Sequence, residues 1–169
     1  VLDADREALL IANNDPPAVI ALDLATSVRT TISDNVTPDT FNAFGGLHDI
    51  EIDSANDLIF VSDRDGVVHK VDGSTGARGI LSSGFNPVGI EIDVPGNRLL
   101  VTDSGLPAVL AVDLLSGMNA VISSNAAPAG APERYATLQE LLPRVGTQQP
   151  VHADHVRLCL FQELPHREA

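Results

Sequence analysis

The chain has 169 residues, 23 acidic against 10 basic side chains, a net charge of −13 and 44% hydrophobic residues. That length suits one domain able to bury a core, and the charge excludes non-specific nucleic-acid binding, because a phosphate backbone wants a basic face. No run of about 18 apolar residues occurs, so no membrane-spanning helix is expected, and a single cysteine, Cys159, excludes an internal disulfide.

The first residues, VLD, already read as a strand, so the chain is expected to be a piece of a longer protein whose address signal would lie upstream. A signal there would make the protein secreted or periplasmic; the residues present do not fix a compartment. Strands are predicted at 9–12, 18–23 and 28–33. Asp15-Pro-Pro17 fills the turn before the second of these, a place where proline is tolerated. Residues 35–48, NVTPDTFNAFGGLH, form a connection much longer than its later counterpart SGFNPVG. Asn35-Val-Thr37 matches a glycosylation sequon but is followed by Pro38 and reads as a turn.

Ile50 to Ile52 is apolar at every second residue, the period of a half-buried strand. Leu58 to Val61 is a continuous apolar run of strand length. Turn formers separate the runs, namely Asp53-Ser-Ala-Asn-Asp57, Asp63-Arg-Asp-Gly66 and Asp72-Gly-Ser-Thr-Gly76. Asp, Asn and Gly close such turns with their side chains or tolerate positive φ. Strands at 48–52, 58–62, 67–71 and 78–81 follow, and again at 89–92, 99–102, 109–112 and 119–122. Runs this short, with no helical period between them, predict consecutive antiparallel hairpins. Beyond Ala126 the pattern changes. AAPAGAP is a linker, Pro132 to Leu142 has helical spacing with proline first, and His155 to Phe161 reads as a strand.

The strands repeat. Asp3, Asp53 and Asp93 end VLD, IEID and IEID. Ten residues on stand Asn13, Asp63 and Asp103, then Asp23, Asp72 and Asp113, then Ser27, Gly76 and Gly117. Four strands per copy, at a period of about 40 to 50 residues, is the arithmetic of a propeller blade. The expected fold is therefore all-β: three four-stranded antiparallel blades, an incomplete propeller. The blades occupy about 1–34, 49–88 and 89–125, and 126–169 is a linker and a short irregular or helical tail. Three blades leave two faces open, so self-association through them is expected.

The stretch LIFVSDRDGVVHKVDGSTGARGILS, followed by NPVGIEID, resembles NHL and YWTD-type blades. It is also similar to the six-bladed propellers of the gluconolactonase/senescence-marker and strictosidine synthase/paraoxonase superfamily. The resemblance covers roughly residues 1–125. The YWTD tetrad itself stands here as FVSD and LVTD. In paraoxonase-like enzymes the segment before the innermost strand supplies a catalytic His and calcium ligands. GLHDIEID resembles such a segment, which implies His48 as catalytic residue and Asp49 as a calcium ligand. Asn86 and Phe44 are the expected substrate-binding residues beside them.

Other candidates carry less. The recurring aspartates fall at strand ends, where a carboxylate accepts backbone N–H bonds and orders a turn. Asp63-Arg-Asp-Gly66 is an incomplete calcium loop without its later Glu. His152 and His155 offer a metal two ligands and no third. No G-x-S-x-G elbow, P-loop or G-x-G-x-x-G occurs. Two functions follow: a binding or scaffold module for a protein or small-molecule ligand, or part of a calcium-dependent hydrolase or lactonase.

Overall fold

A computed structural model of the chain describes residues 1–38 and 40–125. The helix expected at 132–142, the strand at 155–161 and the His152/His155 pair lie outside the described residues. Twelve strands are present among the described residues: β1 Leu2–Asp3, β2 Ala8–Asn14, β3 Pro17–Asp23, β4 Arg29–Asp34, β5 Leu47–Asp53, β6 Leu58–Asp63, β7 Val67–Asp72, β8 Arg78–Ser83, β9 Pro87–Asp93, β10 Arg98–Asp103, β11 Ala108–Asp113 and β12 Asn119–Ser124. They form three separate four-stranded sheets, ordered β1-β2-β3-β4, β5-β6-β7-β8 and β9-β10-β11-β12. Every pairing is antiparallel. All eleven strands expected in the blades are present, and β1 completes the first blade.

Most strands run one to three residues longer than the apolar pattern suggests, in part because the aspartates that begin the turns still pair in the ladder. Asp53 pairs with Leu58, Asp63 with Val67, and Asp93 with Arg98. The turns repeat in their backbone as well as their composition. Glu7, Asp57 and Asn97 all take positive φ at the first turn of their blade, and Ser27, Gly76 and Gly117 do so at the third.

Two hydrophobic seams hold the blades face to face. The first joins Leu10 and Val19 of blade one to Leu47, Ile50, Ile59, Val61 and Val71 of blade two, with Phe44 from the connection. The second joins Phe60 and Val68 of blade two to Ile90, Leu99, Val101, Leu110 and Val112 of blade three, with Phe85 from the connection. Strand β6 shows why its sequence is apolar without a break. Ile59 and Val61 enter one seam and Phe60 the other, so both faces are buried.

The long connection is packed by its own bonds. Asn35 clamps Phe44, donating from Nδ2 to its carbonyl at 2.9 Å and accepting from its amide at 2.7 Å. Arg78, only 8% exposed, donates to the Asn42 carbonyl at 2.9 Å, to Ser33 Oγ at 2.7 Å and to the Asp34 carbonyl. Its guanidinium lies 4.6 Å over the Phe44 ring. One arginine of blade two thus ties the last strand of blade one to the segment that leaves it.

Candidate binding face between the blades

The recurring aspartates sort by position into three structural duties. At the first turn, Asp53 accepts from the Asn56 amide and side chain, and Asp93 accepts from Gly96 N and Arg98 Nε. At the third turn, Asp23, Asp72 and Asp113 each accept two backbone amides two and three residues on. Ser74 Oγ, then the Thr75 amide and hydroxyl, hold Asp72 down at about 2. The second set, Asp63 and Asp103, is buried. It binds the chain entering from the previous blade: Asp63 accepts from Gly45 N at 2.7 Å and Gly46 N at 3.0 Å, and Asp103 from Asn86 N at 3.1 Å.

Asp63 is further engaged by His69 Nε2 at 3.1 Å and Asp65 N at 3.0 Å. Burial alone would push its carboxyl up. The His69 bond and the amides of Asp65, Gly45 and Gly46 together outweigh burial and hold it well below the usual carboxylate range. His69 is 1% exposed, and the Phe44 ring meets its imidazole edge-on at 4.9 Å. Phe44 itself is 3% exposed, in the seam. The structure therefore places this expected substrate-binding residue between His69 and Arg78, where its surface is already covered. The aromatic turned inward because the first seam needed filling at the point where the long connection crosses it.

His48 and Asp49 stand at the start of β5. His48 is exposed, and its Nδ1–H donates to the Pro87 carbonyl at 3.2 Å, one residue from Asn86. The contact is with the first residue of β9, which follows Asn86 in the chain; Asn86 itself lies in the connection before that strand. Asp49 crosses the same gap. Its Oδ2 accepts from Ile90 N at 2.9 Å and its Oδ1 from Ile50 N at 2.9 Å. Beside it, Ser62 Oγ accepts from Asp49 N at 2.9 Å and donates to the Val88 carbonyl at 2.7 Å. In the next blade Thr102 Oγ1 accepts from Gly89 N at 2.8 Å and donates to the Gly89 carbonyl at 3.2 Å. Calcium takes six to eight oxygens. Asp49 offers one carboxylate already committed to two amides, and among the described residues no group of three or more His, Cys, Asp or Glu side chains is placed to hold a metal. These residues do not fit a calcium shell as they stand.

Two residues along β5, Glu51 is half-buried. Burial first, then the carboxylates of Glu91 and Asp49, push it up to about 7. The folded chain then holds that proton more tightly than the unfolded chain, whose value is near 4.5. Stability contributed by the protonated form is present below the unfolded value and is lost as the pH rises towards the folded one. Relative to Glu51→Gln, the native chain should lose about 1–2 kcal/mol between pH 5 and pH 8, a figure discounted for partial exposure. Urea midpoints of both proteins across that window measure this, and parallel curves would refute it.

A shallow cavity of about 510 Å³ opens on the end of the molecule that carries the second turns, between blades two and three. Its walls come from the 65–67 turn, the 83–86 connection and the 103–106 turn. Asn86, the other expected substrate-binding residue, lines it and is exposed. Phe85 closes its floor at 7% exposure. His48, Asp49 and Phe44 do not line it. Its aspartate wall was open to sequence reasoning only as a repeated turn residue.

No family model matches the chain. No curated protein matches it. Among solved structures, 58 chains match. One is a chain of a nidogen/laminin complex, with a TM-score of 0.59 and 20% identity, covering 72% of this chain and 45% of that one. Another is from an S. cerevisiae assembly of a Dbp5 variant with Nup159, a Gle1 variant, IP6 and ADP, at TM-score 0.43, 16% identity, 69% of this chain and 33% of that one, too low to carry an argument. The match spans less than half the length of each of these two chains. The likeness to the nidogen/laminin structure and the three four-stranded antiparallel sheets together show a β-propeller-like fold.

Proposed function

We propose that this chain is a binding module, a set of propeller blades that offers its end face to a protein partner. The observation that supports it most is the state of the acidic side chains. Asp49 and the turn aspartates, the residues that would make a hydrolytic or metal site, spend their oxygens on backbone amides that order turns and seams. The cavity around Asn86 is a concave surface on that end face, open to solvent. The nidogen/laminin structure, whose fold this chain shares in part, is itself a complex of proteins.

The other reading is a calcium-dependent hydrolase or lactonase, favoured by the approach of His48 to the start of β9. Calcium bound only by the folded state would raise the melting temperature. The binding-module reading expects no calcium-dependent shift and no turnover of lactones or aryl esters. A rise of several degrees (on the order of 5 °C) in millimolar calcium, with turnover abolished in His48→Ala, would overturn it.

A further inference from the structure

Asp63 and Asp103 hold the same place in consecutive blades, yet they are not equally satisfied. Asp63 uses both oxygens: Oδ1 accepts from Gly46 N and Asp65 N, Oδ2 from Gly45 N and His69 Nε2. Asp103 uses one. Its Oδ1 accepts from Asn86 N at 3.1 Å, Gly105 N at 2.8 Å and Leu106 N at 3.3 Å, while no donor among the described residues reaches Oδ2. The cause lies in the sequence. Leu110 pairs with Val101 where His69 pairs with Val61, so the imidazole donor is replaced by a hydrocarbon. The incoming connection also delivers one amide to Asp103 where the earlier one delivers two to Asp63.

Asp103 is 5% exposed and borders the cavity between blades two and three. A carboxylate oxygen in so buried a residue gains most from a charged donor. Among the described residues neither Lys nor Arg lines the cavity. The Asn86 side chain has no hydrogen-bond partner among the described residues and stands exposed at the mouth, a second polar group able to turn towards a ligand. Val67, Phe85 and Leu106 supply apolar walls, and Leu106 is 65% exposed. The remaining acid on the rim, Asp65, has its carboxylate over Gly45. A charged head bonded to a carboxylate oxygen that no protein donor reaches, with hydrocarbon beside it, matches a lysine-like side chain, which buries its methylenes and pairs its ammonium.

We propose that this cavity binds a primary alkylammonium group, carried as a lysine side chain on a partner protein, with Asp103 Oδ2 as its anchor. The proposal rests on the binding-module reading and names the chemistry of the contact. The ammonium donates to Oδ2, Asn86 takes a second of its protons through Oδ1, and the stem lies along Val67 and Leu106.

Titration of the isotope-labelled chain with Nα-acetyl-lysine amide, followed by amide NMR shifts, tests it. Shifts should centre on Asn86, Gly105 and Leu106 and saturate in the millimolar range, about 1–10 mM. Nα-acetyl-norleucine amide, which keeps the stem and lacks the charge, should leave them unmoved. Asp103→Asn keeps the Oδ1 acceptor and should weaken binding at least about tenfold. Butylamine separates the sources: weaker binding than acetyl-lysine amide assigns the site to a protein-borne lysine, and tighter binding assigns it to a free amine and overturns the lysine assignment. Equal response to the lysine and norleucine compounds, or no response at about 50 mM, overturns the proposal even if Asp103→Asn fails to fold. Such a failure leaves the binding-module reading to its separate calcium and turnover test.

Discussion

Asp63→Ala is expected to remove about 3 kcal/mol or more of folding stability, the cost of leaving several buried donors without their charged acceptor. The carboxylate has no exposed surface and meets four donors: Gly45 N, Gly46 N, Asp65 N and His69 Nε2. Removing it leaves three amides and an imidazole nitrogen without an acceptor in the first seam. His69 is already short of partners, since its Nδ1 is buried with none among the described residues. Water cannot enter cheaply, because Phe44 covers the imidazole edge-on. Asp72→Ala is the internal control: that carboxylate faces solvent, and its turn can rehydrate, so the effect should be far smaller. The pH dependence has a definite sign. Asp63 is held below its unfolded value, so its stabilisation is present above the ordinary carboxylate range and is lost as the pH falls through that range and below it. Guanidinium midpoints at pH 7 and pH 3 read both effects. A cost of less than about 1 kcal/mol at pH 7 would mean the carboxylate is not holding the connection.

Gly76→Ala should be nearly as damaging, by a different route. Gly76 takes φ of +72°, and a Cβ there would stand 2.0 Å from the Ile32 carbonyl oxygen and 3.1 Å from its carbon. Both are backbone atoms of β4, so relief requires moving blade one against blade two. Left-handed backbone costs alanine roughly 1 kcal/mol, and the clash adds the overpacking cost, for a total of about 3 kcal/mol or more. Gly117 meets the Leu81 carbonyl oxygen in the same way, at 1.9 Å. Ser27 is the matching residue of blade one. It has φ of +61° and already carries a Cβ, so Ser27→Ala should lie within about 0.5 kcal/mol of native. Thermal or urea unfolding of the two variants side by side measures the contrast. Equal stability would show that the seam tolerates a side chain there.

The repeat was legible in the sequence because the duties that recur are local. Asp23, Asp72 and Asp113 act on amides two and three residues away, so spacing alone reports them. Strand β6 was legible from its unbroken apolar run. The exceptions act over distance. Arg78 binds groups 36 to 45 residues back along the chain, and nothing in RGIL marks it as a clamp. Phe44 lay in a long connection of the kind that bears ligands, and its burial depended on an imidazole contributed by β7. The Asp63–His69 pair spans one hairpin, and the facing register of β6 and β7 was a signal available for it. The difference between Asp63 and Asp103 required both the absent imidazole and the shorter connection to be seen in place.

Within each sheet, strands are joined in the order in which they occur along the chain. This bears on kinetics. Hairpin neighbours meet after closing only short loops, a process of microseconds, whereas the contacts between blades must wait until two meanders exist. Pairing between hairpin neighbours favours faster folding than the non-local strand pairings of sandwiches. Among the described residues the two seams join consecutive blades, so cooperativity passes through them in series, as in a one-dimensional chain of coupled units. Damage at one seam slows or uncouples the units on either side of it without erasing the hairpins themselves.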